Sequence, residues 1–289
     1  MGSVEHLTGT APARLHELLA AAQQRLGAPA RLDAEVLLAH VLQQPRSVLF
    51  ADRERAATPA QATHYRALIE RRAAGEPVAY LTGEREFWSL PLRVTPAVLI
   101  PRPETELVVE RVLALLGESA AAASMRLLEL GTGSGAIALA LATARRAWSI
   151  TAVERSEAAL QVALQNAQRL GLTGVELLAG DWFSPLAQRR FDLICSNPPY
   201  VAAADAALAA LRFEPAAALV AGATGLEALL WLIAAAPPHL ERGGWLVLEH
   251  GASQADALAA ALVASGYARV RCHRDLAGLD RVTEAQWES

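Results

Sequence analysis

The sequence predicts an α/β protein in which a doubly wound, mostly parallel sheet of seven strands follows a small N-terminal helical bundle. From residue 104 onward, short apolar runs alternate with amphipathic segments, a pattern typical of parallel strands joined by right-handed crossovers. A glycine-rich turn at residues 131–135 lies between the first apolar run and the next helical segment. Residues 1–86 instead carry apolar side chains at helical spacing. We therefore expect a helical domain at 1–86, a connection at 87–103 and an α/β domain at 104–289.

The N-terminal region contains three predicted helices. The third is the best delimited, because Thr58 is a candidate N-cap, Pro59 occupies the first helical position and Gly75 follows the last turn. Arginines and acidic residues balance in this region, so it lacks the basic stripe of a nucleic-acid reader. It is either a cap on the main domain or a docking platform for a protein partner. The predicted helices span 15–26, 32–42 and 59–74.

The connection at 87–103 contains the aromatic pair Phe87 and Trp88 and four prolines. Its apolar positions alternate, which predicts a short hairpin, and its prolines favour edge strands or a linker.

The α/β domain is predicted to alternate strands and helices to its end. The alanine-rich segment 120–124 is expected to be a loop or a frayed helix end. The predicted strands are 127–130, 149–153, 175–178, 192–196, 245–249, 268–273 and 281–287. The predicted helices are 104–116, 137–145, 157–170, 226–240 and 254–264.

Composition limits the possible functions. The chain has 289 residues, 53% of them hydrophobic and 19% charged, so it can bury a large core. Its net charge of −4 argues against a long nucleic-acid backbone as the main partner. Cys195 and Cys272 are too few for a disulfide framework or a metal cluster, so no metal is expected. The lack of a signal peptide and of an apolar run that could span a bilayer favours a cytoplasmic protein without a membrane partner.

The glycine-rich turn consists of Gly131, Thr132, Gly133, Ser134 and Gly135. Glycines allow positive φ and let a ligand approach the backbone closely, and exposed amides at a helix start favour a carboxylate or a phosphate. The turn also satisfies the dinucleotide pattern G-x-G-x-x-G/A. It is therefore a candidate site for a nicotinamide dinucleotide or for S-adenosyl-L-methionine.

Two acidic positions extend this candidate site. Glu154 ends the next predicted strand, where a carboxylate can bind both hydroxyls of a ribose, which suits NAD and S-adenosylmethionine equally. Asp181 and Trp182 follow the third strand, beside the expected position of an adenine. There the acid can accept a hydrogen bond from the exocyclic amine, and the indole can cover the base.

The segment Asn197-Pro198-Pro199-Tyr200 follows the predicted strand 192–196 and favours methyl transfer over hydride transfer. Its prolines stop the sheet ladder and stiffen the chain. An amide or exocyclic amine nitrogen is a poor nucleophile, because its lone pair is delocalised. The Asn197 side-chain oxygen and the Pro198 carbonyl can accept hydrogen bonds from the two N–H groups of such a nitrogen. These hydrogen bonds would direct the lone pair of the nitrogen at a methyl group. Tyr200 can pack on the planar group.

In their order along the chain, these motifs resemble those of the class I S-adenosylmethionine-dependent methyltransferases, which implies the seven-stranded sheet of that class. The Asn-Pro-Pro-Tyr segment is shared with enzymes that methylate the N6 of adenine. Four further segments are similar to the bacterial release-factor glutamine methyltransferase family, and the resemblance extends over nearly the whole chain. They are Gly83-Glu84-Arg85-Glu86-Phe87-Trp88, Leu99-Ile100-Pro101-Arg102-Pro103-Glu104-Thr105-Glu106, Asp181-Trp182-Phe183 and Arg212-Phe213-Glu214-Pro215.

The resemblance implies an enzyme that methylates the side-chain amide nitrogen of the glutamine in the Gly-Gly-Gln motif of class 1 peptide-chain release factors. Independently of the resemblance, the chain is expected to be a monomer. The methyl donor would be S-adenosylmethionine. The segments Ile100–Glu106 and Arg212–Pro215 would form walls of the substrate pocket, with their charges holding the two loops.

The resemblance also implies roles for individual residues. Asn197 and Pro198 would be catalytic, and Asn197 would also border the cofactor. Family members often carry Asp where this chain has Glu154, a difference of one methylene. By the matching positions, the glycine turn would hold the methionine part of the cofactor, Glu154 the ribose, Asp181 and Trp182 the adenine region, and Asn197, Pro198, Pro199 and Tyr200 the glutamine.

Three alternatives stay open at this point. An adenine-N6 methyltransferase shares the tetrapeptide and the cofactor but needs a basic, aromatic-lined surface for its nucleic acid. A nicotinamide dehydrogenase accounts for the glycines and Glu154 but leaves the tetrapeptide without a role. A non-catalytic scaffold would have no need for a complete set of motifs.

Overall fold

The computed structural model describes residues 13–27, 30–117 and 125–288. The chain divides after Gly83 into two compact units. The predicted boundaries at residues 86 and 103 stay predictions, and the predicted loop at 120–124 lies outside the described residues. None of the helices in the described part of the chain is long and apolar enough to cross a membrane.

The N-terminal unit is a bundle of helices around its own apolar core. Its helices are α1 (Leu15–Leu26), α2 (Arg31–Leu42), α3 (Val48–Ala51), α4 (Pro59–Ala73) and α5 (Val78–Thr82). The predicted start of α4 is confirmed, because the Thr58 hydroxyl accepts from the Gln61 amide and the Gln61 side chain accepts from the Thr58 amide. The core includes Tyr65, whose hydroxyl donates to the Ala34 carbonyl at 3.1 Å.

The second unit begins with an antiparallel hairpin, β1 (Glu84–Phe87) and β2 (Leu90–Arg93). The hairpin lies earlier than the predicted 87–103, because the chain turns at Trp88 and Ser89, which have φ values of 52° and 58°. Two consecutive residues with positive φ give a tight turn whose twist matches that of the flanking strands.

The rest of the second unit is a seven-stranded sheet with helices on both faces, which confirms the predicted fold class. The sheet order is β5-β4-β3-β6-β7-β9-β8, and only β9 runs against the other six strands. The strands are β3 (Arg126–Leu130), β4 (Ser149–Glu154), β5 (Glu176–Ala179), β6 (Phe191–Ser196), β7 (Leu240–Glu249), β8 (Tyr267–Arg274) and β9 (Asp280–Trp287). The helices are α6 (Glu106–Leu116), α7 (Ala136–Ala144), α8 (Glu157–Arg169), α9 (Glu227–Ala235) and α10 (Ala255–Ala264).

Successive residues of the central strands point to opposite faces of the sheet and belong to separate apolar cores. Leu127 packs into a core with residues of α6 and α7, while Leu128 packs into a second core with residues of α9 and α10. A strand that is buried on both faces is apolar throughout, which is why β3 and β6 appear in the sequence as short continuous apolar runs.

The predicted helix 226–240 is wrong in its last third, at residues 236–240. α9 ends at Ala235, residues 237–239 form a short 3-10 turn, and β7 already starts at Leu240. Pro237 and Pro238 explain this, because a proline ring clashes with the preceding helical turn and lacks the amide proton that the helix needs. The apolar residues before the two prolines belong to α9, and those after them belong to β7.

The order of the strands determines where a ligand can bind. From β3 the chain proceeds outward through β4 to β5, and it then returns to the other side of β3 to form β6 and β7. In open α/β sheets, a crevice forms at the carboxyl ends of the strands where this order reverses. The glycine turn follows β3 and Asn197 follows β6, so the fold brings both to this crevice.

Candidate active site

A cavity of about 250 Å³ occupies the crevice at the carboxyl ends of β3, β4 and β6. Of the predicted site residues, it is lined by Gly131, Thr132, Gly133, Ser134, Glu154, Asp181, Trp182, Asn197 and Pro199. Gly135, Pro198 and Tyr200 are not among the lining residues. Gly135 caps the start of α7 with a φ of 85°, and a side chain there would meet Leu139 within 2.9 Å. A glycine at this position therefore allows Leu139 to pack closely against the start of α7.

The backbone amides of the glycine turn are mostly engaged inside the protein. Gly131 and Thr132 both donate to the Val153 carbonyl, at 2.9 and 3.1 Å. Gly133 donates to Oε2 of Glu154 at 2.9 Å, and Gly135 donates to the Thr132 carbonyl at 2.8 Å. The expectation that exposed amides bind an anion is thus wrong for these four. What the turn offers is a backbone that a ligand can approach closely.

Glu129 already places a carboxyl group at the start of α7. It is buried, and its Oε2 accepts from the Thr132 hydroxyl at 2.5 Å and from the Ala138 amide at 3.0 Å. The Ala138 amide, which a phosphate at this helix start would need, is therefore already satisfied within the protein. The helix start thus offers one amide fewer to the pyrophosphate of a dinucleotide.

Burial raises the pKa of Glu129 to about 8, although its hydrogen bonds to Thr132 and Ala138 act in the opposite direction. Between about pH 4.5 and 8, the folded protein therefore holds a proton that the unfolded chain releases. The free energy of unfolding is then expected to fall on this account as the pH rises through that window.

We expect Glu129→Gln to remove this part of the pH dependence, because glutamine does not titrate. Urea unfolding at pH 5.5 and 8.5 should show the wild-type protein losing more stability than the variant as the pH rises. Equal losses in the two proteins would contradict the raised pKa.

The carboxylate of Glu154 is held at the cavity wall at the end of β4. Its Oε1 accepts from the Ser156 amide at 2.8 Å, and its Oε2 accepts from Gly133. Each carboxylate oxygen has further lone pairs, so Glu154 can still accept hydrogen bonds from two neighbouring hydroxyls of a ligand.

Asp181 and Trp182 form the adjacent wall. The Asp181 carboxylate lies 3.8 Å from the Arg155 guanidinium, and the centre of the Trp182 ring lies 6.1 Å from that of Trp231. Trp182 has a φ of 50°, which is uncommon for a large residue and is found where the surrounding structure fixes it. A side chain on Gly131 would lie 3.8 Å from the Trp182 ring, so this ring faces the glycine turn.

The tetrapeptide leaves the sheet at the end of β6. Asn197 donates from Nδ2 to the Thr105 hydroxyl at 3.2 Å, so its Oδ1 is the end available to a ligand in the cavity. The Tyr200 hydroxyl donates to Oε1 of Glu249 at 3.1 Å, and its carbonyl accepts from Gln254 at 3.0 Å. Asn197 and Tyr200, the two ends of the tetrapeptide, are thus both held by residues outside it.

The two segments expected to wall the pocket meet at Glu214. Its buried carboxylate accepts from the Ile100 amide at 3.1 Å and pairs with the Arg102 guanidinium. Pro101 and Pro215 line the cavity on either side of this ion pair. The ion pair between Arg102 and Glu214 therefore joins the two expected pocket walls to each other.

Sequence reasoning gave no individual role to three residues that shape the site: Thr105, Glu129 and Glu249. Glu249 ends an apolar strand at the same edge of the sheet as Glu154, so the reasoning that selected Glu154 could also have selected it. Thr105 carried no comparable signal, because its contact with Asn197 joins residues 92 positions apart.

Comparison with known proteins identifies the family. The PrmC N-terminal domain family matches residues 17–83, and a methyltransferase domain family matches residues 121–230. The release factor glutamine methyltransferase of Pseudomonas aeruginosa is 49% identical over 89% of this chain and 93% of its own length. The chain belongs to the release factor glutamine methyltransferase family. The family's enzyme from Yersinia pestis is 47% identical over 93% of this chain and 96% of its own length.

A solved structure supports the class I fold. The 16S rRNA N2 methyltransferase of T. thermophilus, in complex with AdoMet and guanosine, superposes with a TM-score of 0.54 at 20% identity, covering 71% of this chain and 50% of its own. The cofactor of this chain is S-adenosylmethionine, as predicted. The cavity fits it, because the acidic side chains of Glu154 and Asp181 in its lining favour a cation and Glu154 can bind ribose hydroxyls.

Proposed function

We propose that this protein methylates the side-chain amide nitrogen (N5) of the glutamine in the Gly-Gly-Gln motif of class 1 peptide-chain release factors. The observation that carries the proposal is the state of Asn197. Its Nδ2 is engaged by Thr105, so its Oδ1 is available as an acceptor in the cavity that Glu154 and the glycine turn also line. Relatives that span nearly the whole chain are named release factor glutamine methyltransferases.

The chemical task is to make an amide nitrogen nucleophilic. Asn197 Oδ1 and the Pro198 carbonyl accept hydrogen bonds from the two N–H groups of the glutamine side chain. These hydrogen bonds fix the nitrogen and direct its lone pair toward the cofactor. When bound, S-adenosylmethionine supplies a methyl group on a positively charged sulfur, and the new C–N bond forms as the C–S bond breaks and leaves its electron pair on sulfur. The methylated nitrogen then loses a proton to water, so no strong general base is required. The rate gain comes from positioning and preorganised acceptors.

The remaining predicted residues receive binding roles in this proposal. Pro199 and Tyr200 shape the glutamine site beside Asn197. The adenine region lies against Asp181 and Trp182, and Glu154 binds the ribose. The methionine part is held by the backbone of Gly131, Thr132, Gly133, Ser134 and Gly135.

We further propose that the enzyme acts in the cytoplasm as a monomer, without direct contact to nucleic acid or membrane. The N-terminal unit, with its own core and balanced charge, would serve as the docking platform for the release factor. Capping of the methyltransferase domain is the alternative role for that unit. An adenine-N6 methyltransferase shares the tetrapeptide, but neither the net charge of −4 nor the names of the relatives favour it.

The direct test is mass spectrometry of a purified class 1 release factor after incubation with the enzyme and S-adenosylmethionine. We expect one added methyl group, located on the glutamine of the Gly-Gly-Gln motif. A release factor with that glutamine changed to glutamate is the matched control and should stay unmodified. Transfer of labelled methyl to nucleic acid alone would overturn the proposal.

A further inference from the structure

Glu249 lies behind the tetrapeptide, outside the lining of the cavity. It is the last residue of β7 and is 1% exposed. Its Oε1 accepts from the Tyr200 hydroxyl at 3.1 Å. Its Oε2 has no hydrogen-bond partner among the residues that the structure describes, although the nearby Thr105 hydroxyl stabilises its charge. A buried carboxylate with one oxygen lacking a full hydrogen bond attracts any donor that can turn toward it.

Thr105 lies near this carboxylate and contacts Asn197. It is buried, and its oxygen accepts from Nδ2 of Asn197 at 3.2 Å. A hydroxyl has a single proton. Because the Glu249 carboxylate attracts that proton, the Thr105 lone pairs are left to face Asn197, and they select the amide nitrogen over the amide oxygen.

We propose that Glu249 is a positioning residue for methyl transfer: through Thr105 it determines which end of the Asn197 amide faces the cavity, and it also anchors the hydroxyl of Tyr200. This inference rests on the proposed function of Asn197 as an acceptor for the substrate amide. A reversed Asn197 would present N–H groups to the N–H groups of the substrate. It would thus replace a hydrogen bond by a repulsive contact.

Glu249, Thr105 and Asn197 thus form a relay, and the protonation state of Glu249 controls it. A neutral Glu249 can donate to Thr105, whose proton is then free to point at Asn197 and stabilise the reversed amide. Burial raises the pKa of Glu249 to about 7, while Thr105, Tyr200 and Arg281 lower it and the charge of Glu104 raises it. The active orientation is consequently favoured above neutral pH and lost as the pH falls through about 7.

The relay can be observed directly by NMR of labelled asparagine side chains, because Asn166 and Asn197 are the only two asparagines in the chain. Asn166 is buried in α8, where its Nδ2 donates to the Arg93 and Ser134 carbonyls at 3.0 and 2.9 Å. It has no contact with Glu249, so it is an internal control. Protein labelled with ¹⁵N-asparagine should give two pairs of side-chain amide signals, one pair for each asparagine.

We expect the Asn197 side-chain signal to shift between pH 5.5 and 8.5 with a midpoint near 7, while the Asn166 signal stays in place. In Glu249→Gln this titration should disappear. Thr105→Val, which replaces only the hydroxyl by a methyl group, should abolish it as well and keeps the test valid if the first variant does not fold. An Asn197 signal that stays constant in the wild type, or titrates unchanged in both variants, overturns the inference. This readout needs no substrate, so its failure is separate from a failure to methylate release factor.

Single-turnover transfer to release factor gives the second readout. Glu249→Gln should be about tenfold to a hundredfold slower at pH 8.5, with the affinity for S-adenosylmethionine changed by less than about threefold. The matched control is Glu284→Gln, which removes a buried carboxylate that pairs with Arg111 in the same sheet. It should keep the wild-type rate and pH profile. Equal losses in the two variants would mean a general effect on stability and would overturn the role of Glu249.

Discussion

Replacing Asn197 by alanine is expected to slow methyl transfer by about 10²- to 10³-fold, because one of the two acceptors that hold the substrate amide is lost. The tetrapeptide backbone should stay in place, since the Tyr200 carbonyl remains bound to Gln254 and the Tyr200 hydroxyl to Glu249. Cofactor affinity should change little, because Asn197 contributes only one border of the cavity. Single-turnover kinetics with release factor and calorimetry with S-adenosylmethionine measure the two effects separately.

The outcome that contradicts this role is a variant with near-normal turnover. A variant that loses turnover and cofactor affinity in equal measure would also contradict it, because the damage would then extend to the whole cavity. Urea unfolding provides the control for folding.

Changing Gly225 to alanine should be nearly as damaging, although Gly225 does not line the cavity. Its φ is 80°, and a Cβ there would lie 2.5 Å from the Tyr200 carbonyl oxygen and 3.0 Å from the Ala202 amide nitrogen. Both are backbone atoms, so the clash is relieved only by moving one backbone segment away from the other, and either movement removes the contact that holds the end of the tetrapeptide. A displacement of about 1 Å at a reacting group can cost about 10²-fold in rate, and we expect a loss of at least that size.

Gly278→Ala is the matched control for Gly225→Ala. Gly278 has a φ of 78°, yet a Cβ there would meet nothing within 4 Å. Gly278→Ala should therefore lower the free energy of unfolding only by the roughly 1–2 kcal/mol that a left-handed backbone conformation costs a residue with a side chain. It should keep the wild-type rate of methyl transfer. If Gly225→Ala is as active as Gly278→Ala, the close contact with Tyr200 does not hold the tetrapeptide in place.

The sequence was sufficient for features whose physical cause is local. Five of the seven strands, β3 to β7, could be predicted because each contains a short apolar run, and the start of α4 could be located from Thr58 and Pro59. The candidate cofactor and substrate residues were selected because glycines, a strand-end acid and a proline-stiffened asparagine each have a chemical use at that edge of the sheet.

Features that depend on distant residues could not be predicted in this way. The amides of Gly131 and Thr132 are engaged because the Val153 carbonyl, on the neighbouring strand, lies within reach. The relay from Glu249 through Thr105 to Asn197 joins three separate parts of the chain, and nothing in the sequence around any one of them indicates the other two. The error at residues 236–240 had a local cause, since two prolines were included in a helix.

The placement of β9 has a consequence for biosynthesis. β9 is the last strand in the sequence, but it pairs on one side with β7 and on the other with β8, so β8 is attached to the sheet only through it. A ribosome must therefore deliver residues 280–287 before the two outer strands can join, and until then the edge of β7 remains open to pairing with other chains. Since β7 also carries Glu249, a nascent or prematurely terminated chain is exposed to aggregation during the same interval in which its tetrapeptide anchor is still being formed.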